Sequence, residues 1–276
     1  MTLVSPDNAY GPLLDTTMRV MSWNIWFRFG PWERRQPAII ETLRRVDADV
    51  VALQEVWAGD DVRQIDLLAA ELGMHAAYDS RMIRHDFRFG NAVLSRWPIA
   101  GTQTLAYVTD GDSQESRLAL RADIDGPRGA FQIFCTHLNW RLYDSALRQS
   151  QVRQLTEFVA DSRPRTYPAI VCGDFDADPA SDEVRMMTGR AAVPADKVVF
   201  ADAWEIAGVG DGFTWDNTNP HAAAALEMDR RIDYVFTGWR KAGGAGHALD
   251  CRLAGNEMID GVWPSDHFAV VAELRY

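Results

Sequence analysis

Eight short apolar runs rich in β-branched residues recur along the 276-residue chain, each of strand length. They are MRVMSWNI from Met18, DVVALQEV from Asp49, NAVLS from Asn91, RLALRADI from Arg117, FQIFCTHL from Phe131, YPAIVCGDF from Tyr167, RIDYVFTG from Arg231 and HFAVVAEL from His267. So many strands must be layered to bury their apolar faces. Helical spacing fills only some of the gaps, at 33–46, 60–72, 145–161 and 181–188, the last opening on a Ser-Asp-Glu start signal. The pattern is mixed α/β, or α+β. Because strands dominate, it favours a two-sheet core with outer helices over one doubly wound parallel sheet. No repeat or low-complexity stretch is visible, and the Gly clusters at 126–129 and 243–246 are too short to link domains. We expect an amino-terminal tail over 1–17 and a single domain over 18–276.

Hydrophobic residues make up 47% of the chain, enough for a large core. Twenty-eight basic against thirty-nine acidic residues give a net charge of -11, which disfavours broad nonspecific binding to polyanions. A local phosphate site remains open, because a divalent cation can reverse the field inside one pocket. The three cysteines, Cys135, Cys172 and Cys251, lie far apart, and two sit inside apolar runs, so no disulfide framework is expected. The first seventeen residues lack a basic region followed by an apolar stretch, and no run approaches the ~20 apolar residues of a membrane span. The expected location is the cytoplasm.

Polar residues close several of the strand-length runs. Asn24 ends MRVMSWN, Glu55 ends VVALQE, His137 ends IFCTH, Asp174 ends AIVCGD, and Asp266 with His267 precedes the last run. Strand ends in a layered fold converge on one rim, where loops hold polar groups at fixed separations. The set is rich in oxygen and free of cysteine, which suits Mg2+, with Mn2+ as an alternative, and argues against a structural zinc site. Glu55 is the carboxylate expected on the metal. The two histidines would donate hydrogen bonds or a proton to phosphoryl oxygens, and the remaining carboxylates would orient water or histidine. Asp178, Asp182 and Glu183 read instead as a turn and a helix start. His75, His85, His221 and His247 read as surface or loop residues, and GGAG at Gly243 as a turn. Trp26, Trp57, Trp140, Trp215 and Trp263 lie near these motifs, and at least two are expected to line the mouth of the site, with Trp140 and Trp263 taken as substrate contacts. Arg117 and Arg141 are candidate phosphate ligands.

Six pieces in order, SWNIW at Ser22, LQEVW at Leu53, THLNW at Thr136, GDFDADP at Gly173, RIDYVF at Arg231 and SDH at Ser265, resemble the endonuclease/exonuclease/phosphatase superfamily. The resemblance covers about residues 18–274. It implies a DNase I-like, four-layer sandwich of two packed, mostly antiparallel sheets flanked by helices. It further implies Glu55 as the magnesium-binding glutamate, Asn24 as the asparagine arranging metal, water and the neighbouring acid, and Asp266 beside the metal. By the same resemblance Asp174 positions or deprotonates the attacking water, His267 contacts the scissile phosphate, Asp233 orients it, and His137 is a second phosphate-facing histidine. GNAVLS also recurs in branches of the family, which makes Asn91 a candidate. Two positions depart from the family pattern. GDFD replaces GDFN, so Asp176 stands for an amide that would donate to phosphate, and its charge calls for a proton, a turn away from the site, or a cation at a second metal position. Trp26 stands where some nuclease relatives carry an acidic neighbour of the metal.

The expected function is Mg2+- or Mn2+-dependent hydrolysis of a phosphate ester, as a phosphodiesterase working by in-line water attack. The rivals are a nuclease or DNA-end-processing phosphodiesterase and, from another class, a catalytically silent binding scaffold. The substrate could be a small molecule, a lipid headgroup or a nucleic-acid end.

Overall fold

The computed structural model describes residues 9–84, 87–108, 117–162 and 166–276. His85 and residues 1–8 of the expected tail lie outside these ranges. The first apolar run becomes β1 (Thr17–Asn24), parallel to β2 (Val50–Ala58) and antiparallel to β12 (Ala269–Arg275). With β3 (His75–Arg84), β4 (Phe87–Ser95) and β11 (Ala248–Ala254), they form a sheet in the order β11-β12-β1-β2-β4-β3. The second sheet contains β5 (Ile99–Ala106), β6 (Leu118–Gly126), β7 (Gly129–His137), β8 (Ile170–Asp174), β9 (Phe200–Asp202) and β10 (Asp233–Gly238), in the order β5-β6-β7-β8-β10-β9.

Each sheet has one parallel pair, β1 with β2 and β7 with β8. Parallel neighbours need a crossover connection, and α1 (Trp32–Val46) and α3 (Ser145–Ala160) supply the two. Two shorter helices, α2 (Gln64–Leu72) and α4 (Asp182–Met187), complete the outer layers. The expected start of α2 at residue 60 is four residues early. Ala58 and Arg63 form a β-bridge closed by Gly59 N–H on Val62 C=O, which holds this stretch as a turn.

Strand alternation sorts the apolar residues into layers. Val20 and Val50 face inward against Ile133, Cys172 and Val235 of the second sheet. Met21, Val51 and Leu53 face outward against Ile39, Leu43 and Leu68 of α1 and α2. On the far side, Phe134, Val171 and Tyr234 pack against Val152, Leu155 and Met187 of α3 and α4. The fold is therefore the expected four-layer sandwich, and the three cysteines are free thiols buried within it. None of the described helices is long and apolar enough to cross a membrane.

Candidate active site

Register alone aligns three of the candidate residues. In the parallel pair β7 and β8, His137 stands opposite Asp174, and in the antiparallel pair β8 and β10, Asp174 stands opposite Asp233. The row His137, Asp174, Asp233 thus crosses the middle of the second sheet at one end. Asn24 reaches it from the first sheet, where its amide donates to Asp174 Oδ2 at 2.9 Å and its own Oδ1 accepts from Trp26 N–H at 2.9 Å. That second bond closes a tight turn in which Trp26 and Phe27 take left-handed backbone angles of φ 58° and 37°.

Glu55 is aimed by a β-bulge. Leu53 and Val56 both pack on the outer, helix-covered face, which strict alternation forbids for positions three apart, and the β2 to β4 register shifts between them. Glu55 fills the extra position with φ 59°, a strained choice for a residue with a Cβ. Its backbone carbonyl accepts from Phe27 N–H, and its Oε2 is buried without a hydrogen-bond partner. Burial, together with the Asp266 carboxylate, pushes the Glu55 carboxyl up to about 8 despite Arg117 and His267. Burial raises Asp266 as well, to about 6, opposed by His267 and Arg35.

His267 Nδ1 bonds Asp233 Oδ2 at 2.9 Å, while its Nε2 lies 3.7 Å from Asp174 Oδ2. Burial works against a proton on this ring, but the charges of Asp233 and Asp174 outweigh it and raise His267 well above the usual histidine range. His137 differs. Burial and the Arg117 guanidinium push it well below that range, and its Nε2 sits 3.6 Å from Asp174 Oδ2 and 3.3 Å from Asp176 Oδ2. The two imidazoles on the two sides of a single carboxylate are therefore shifted in opposite directions. Ligand atoms of His137, Asp174 and Asp176, and separately those of Asp174, Asp233 and His267, lie within 4.8 Å of one another.

These groups open into a cavity of about 260 Å³ lined by Asn24, Glu55, His137, Asp174, Asp176, Asp266 and His267 with Trp26, Phe29, Trp140, Trp215 and Arg230. Four sequence-based candidates are placed otherwise. Trp263 stacks on Phe268 at 5.9 Å and is not part of the lining. Asn91 is a staple between the sheets, its amide donating to the carbonyls of Leu118 at 2.9 Å and Cys135 at 3.3 Å. Arg117 lies 5.6 Å from the Phe89 ring, outside the lining, and acts on Glu55 and His137 through its charge. Arg141 lies over Trp140 and 3.8 Å from Asp144.

Sequence reasoning missed several supports. Arg35 on α1 is fully buried and donates to five carbonyls, those of Ile25, Trp26, Phe27, Phe29 and Pro264. Its signal was present: residues 35, 38, 39, 42, 43 and 46 form the buried stripe of α1, and Arg35 lies in phase with it. Glu183 lies in the first turn of α4 as expected, yet it is buried and pairs with Arg148 at 2.7 Å, and Arg148 also binds the Asn139 and Arg141 carbonyls beside Trp140. His221 packs on Trp26 at 4.6 Å instead of lying free on the surface.

The family model described as Endonuclease/Exonuclease/phosphatase family matches residues 21–267. The chain belongs to this family. Among curated relatives, the uncharacterized protein YbhP of Escherichia coli K12 is 30% identical over 172 residues, covering 58% of this chain and 66% of that protein. The inositol phosphosphingolipids phospholipase C of Schizosaccharomyces pombe is 28% identical over 205 residues, which cover 68% of this chain and 46% of that one. The family member thus spans less than two thirds of these relatives' lengths. In fold it is similar to D. rerio TDP2 complexed with single-strand DNA product, with a TM-score of 0.78, 19% identity and coverage of 95% of this chain and all of that one. The human Nocturnin catalytic domain with bound sulfate gives 0.69 at 20% identity, with 94% of each chain covered.

Proposed function

We propose that this family member is a divalent-cation-dependent phosphodiesterase, and that Glu55, Asn24, Asp266 and Asp176 form its cation-binding side. The observation that carries the reading is the convergence on Asp174: Asn24 from one sheet, and His137, His267 and its partner Asp233 around it. The donor set fits a hard cation. Glu55 and Asp176 each keep a buried carboxylate oxygen without a hydrogen-bond partner, and no cysteine lines the cavity. When bound, Mg2+ would polarise the phosphoryl group and offset the charge that collects on its oxygens.

The protein's own groups supply the rest. Asp174 is held by the Asn24 amide on Oδ2 and the Asp176 N–H on Oδ1, so it presents a fixed acceptor for the proton of an attacking water. Asp233 holds Nδ1 of His267, leaving Nε2–H to donate to a phosphoryl oxygen. His137 offers a neutral donor from the opposite side, and Trp140 forms part of the apolar wall.

The test is hydrolysis of bis-p-nitrophenyl phosphate with and without Mg2+ or Mn2+. We expect cation-dependent turnover, lowered at least about 100-fold by Glu55→Ala and by His267→Ala in folded protein. Wild-type rates in either variant refute the assignment, and no turnover by the unaltered chain favours the silent scaffold. The relatives' names point to inositol phosphosphingolipids and to single-stranded DNA as substrate sources. The net charge of -11 weighs against long duplexes.

A further inference from the structure

Among the described residues lining the cavity there is one arginine or lysine, Arg230, set among five carboxylates, Glu55, Asp174, Asp176, Glu227 and Asp266. Its placement is built into the backbone. Trp215 forms one antiparallel bridge with Arg230 and another with His267, so the three residues make a short ladder. Trp215 N–H donates to Arg230 C=O at 3.0 Å, Arg230 N–H donates back at 2.8 Å, and the Trp215 ring meets His267 edge-on at 5.0 Å. Directly opposite residues in antiparallel bridges share a face, and all three side chains line the same cavity. Two strand spacings, roughly 10 Å, therefore separate the Arg230 backbone from that of His267.

Arg230 is poorly matched where it stands. The residue is 5% exposed, its Nε is buried without a hydrogen-bond partner, and its ion pair is with Glu227, 3.3 Å away on the rim. A buried guanidinium offers five donors, and losing its hydration is offset only when those donors find acceptors. A phosphate presents two or three oxygens to such a fork.

We propose that Arg230 forms a second anion subsite beside the phosphoryl centre, and that the site selects phosphodiesters carrying a further phosphate group. The inference rests on the phosphodiesterase reading above. Glu227 holds the guanidinium when the subsite is empty and competes with the incoming phosphate. The shared chemistry is a second phosphate several bonds beyond the scissile phosphorus, whether on a nucleotide end or on a phosphorylated inositol headgroup.

The experiment measures binding by tryptophan fluorescence, with Ca2+ in place of Mg2+, for two ligand pairs: the dinucleotides dTdT and 5′-phosphorylated pdTdT, and glycerophosphoinositol and its 4-phosphate. In at least one pair the phosphorylated member should bind the wild type roughly 10-fold tighter, the worth of one charge-assisted contact. The pair that responds identifies the source. Arg230→Gln should remove the preference, Arg230→Lys should keep part of it, and Glu227→Gln should enlarge it; the last two carry the test if the first fails to fold. Absence of any preference in the wild type overturns the proposal, as does equal weakening of both members by Arg230→Gln. Turnover of bis-p-nitrophenyl phosphate in Mg2+ is measured alongside. Preference without turnover keeps the subsite and removes the phosphodiesterase reading, whereas turnover without preference does the reverse.

Discussion

Asp174 and Asp176 stand two positions apart in one turn, yet their carboxylates live differently. Both oxygens of Asp174 accept hydrogen bonds, while Asp176 Oδ2 has none and faces His137 at 3.3 Å. Burial raises the Asp176 carboxyl, with Arg117, His267 and Arg230 pulling it back. If a cation offsets its charge during turnover, Asp176→Asn removes a ligand charge and should need a Mg2+ concentration at least about threefold higher to reach half its maximal rate. An unchanged Mg2+ titration would remove that role. Asp233 makes a second case, because its charge is what keeps the proton on His267. Asp233→Asn preserves an acceptor for Nδ1–H but not the charge, so kcat should fall about 10- to 100-fold with KM nearly constant. The alkaline limb of the pH profile should also move to lower pH, since the variant lowers the pKa of His267. A full-rate variant with an unmoved limb would show that Asp233 does not act through this histidine.

At the scale of elements, α1 does more than cross from β1 to β2. Through Arg35 it ties the loop after β1 to the segment before His267, satisfying five carbonyls that the fold otherwise buries. Arg35→Met keeps the volume and removes every donor, so it should destabilise the chain by about 3 kcal/mol or more in urea unfolding. A loss under about 1 kcal/mol would mean that water replaces the guanidinium. The same scale explains what the sequence disclosed. The eight apolar runs are the eight inner strands, and the four strands that pattern reading passed over, β3, β5, β9 and β11, are the four sheet edges. An edge strand has solvent along one side and needs no continuous apolar run, as the mostly half-buried or exposed β5 illustrates. Site residues at the ends of inner strands were legible because strand, register and motif coincide there. Arg230 was not, because a loop delivers it and only the folded ladder brings it to His267.

The molecule as a whole gathers the cluster from both sheets: Asn24, Glu55, Asp266 and His267 from the first, and His137, Asp174, Asp176 and Asp233 from the second. Packing the two layers therefore forces like charges together, and pH should register the cost. Glu55 ordinarily titrates at 4.5, but in the folded, cation-free chain burial and Asp266 push it to about 8. Burial moves Asp266 from 3.8 to about 6, and His267 also rises. In each case the folded state holds the proton more tightly than the unfolded one. The resulting stability is fully present below the unfolded pKa of each group and is lost as pH climbs through its folded value. The melting temperature of chelator-treated protein should accordingly fall by a few degrees or more between pH 5 and 8. Mg2+ should restore it, with the largest gain at the alkaline end, where the carboxylates are ionised and a cation replaces the lost protons. A chelated protein that melts higher at pH 8 than at pH 5, or a Mg2+ gain that is largest in acid, would mean that these carboxylates are not the groups on which the seam between the sheets depends.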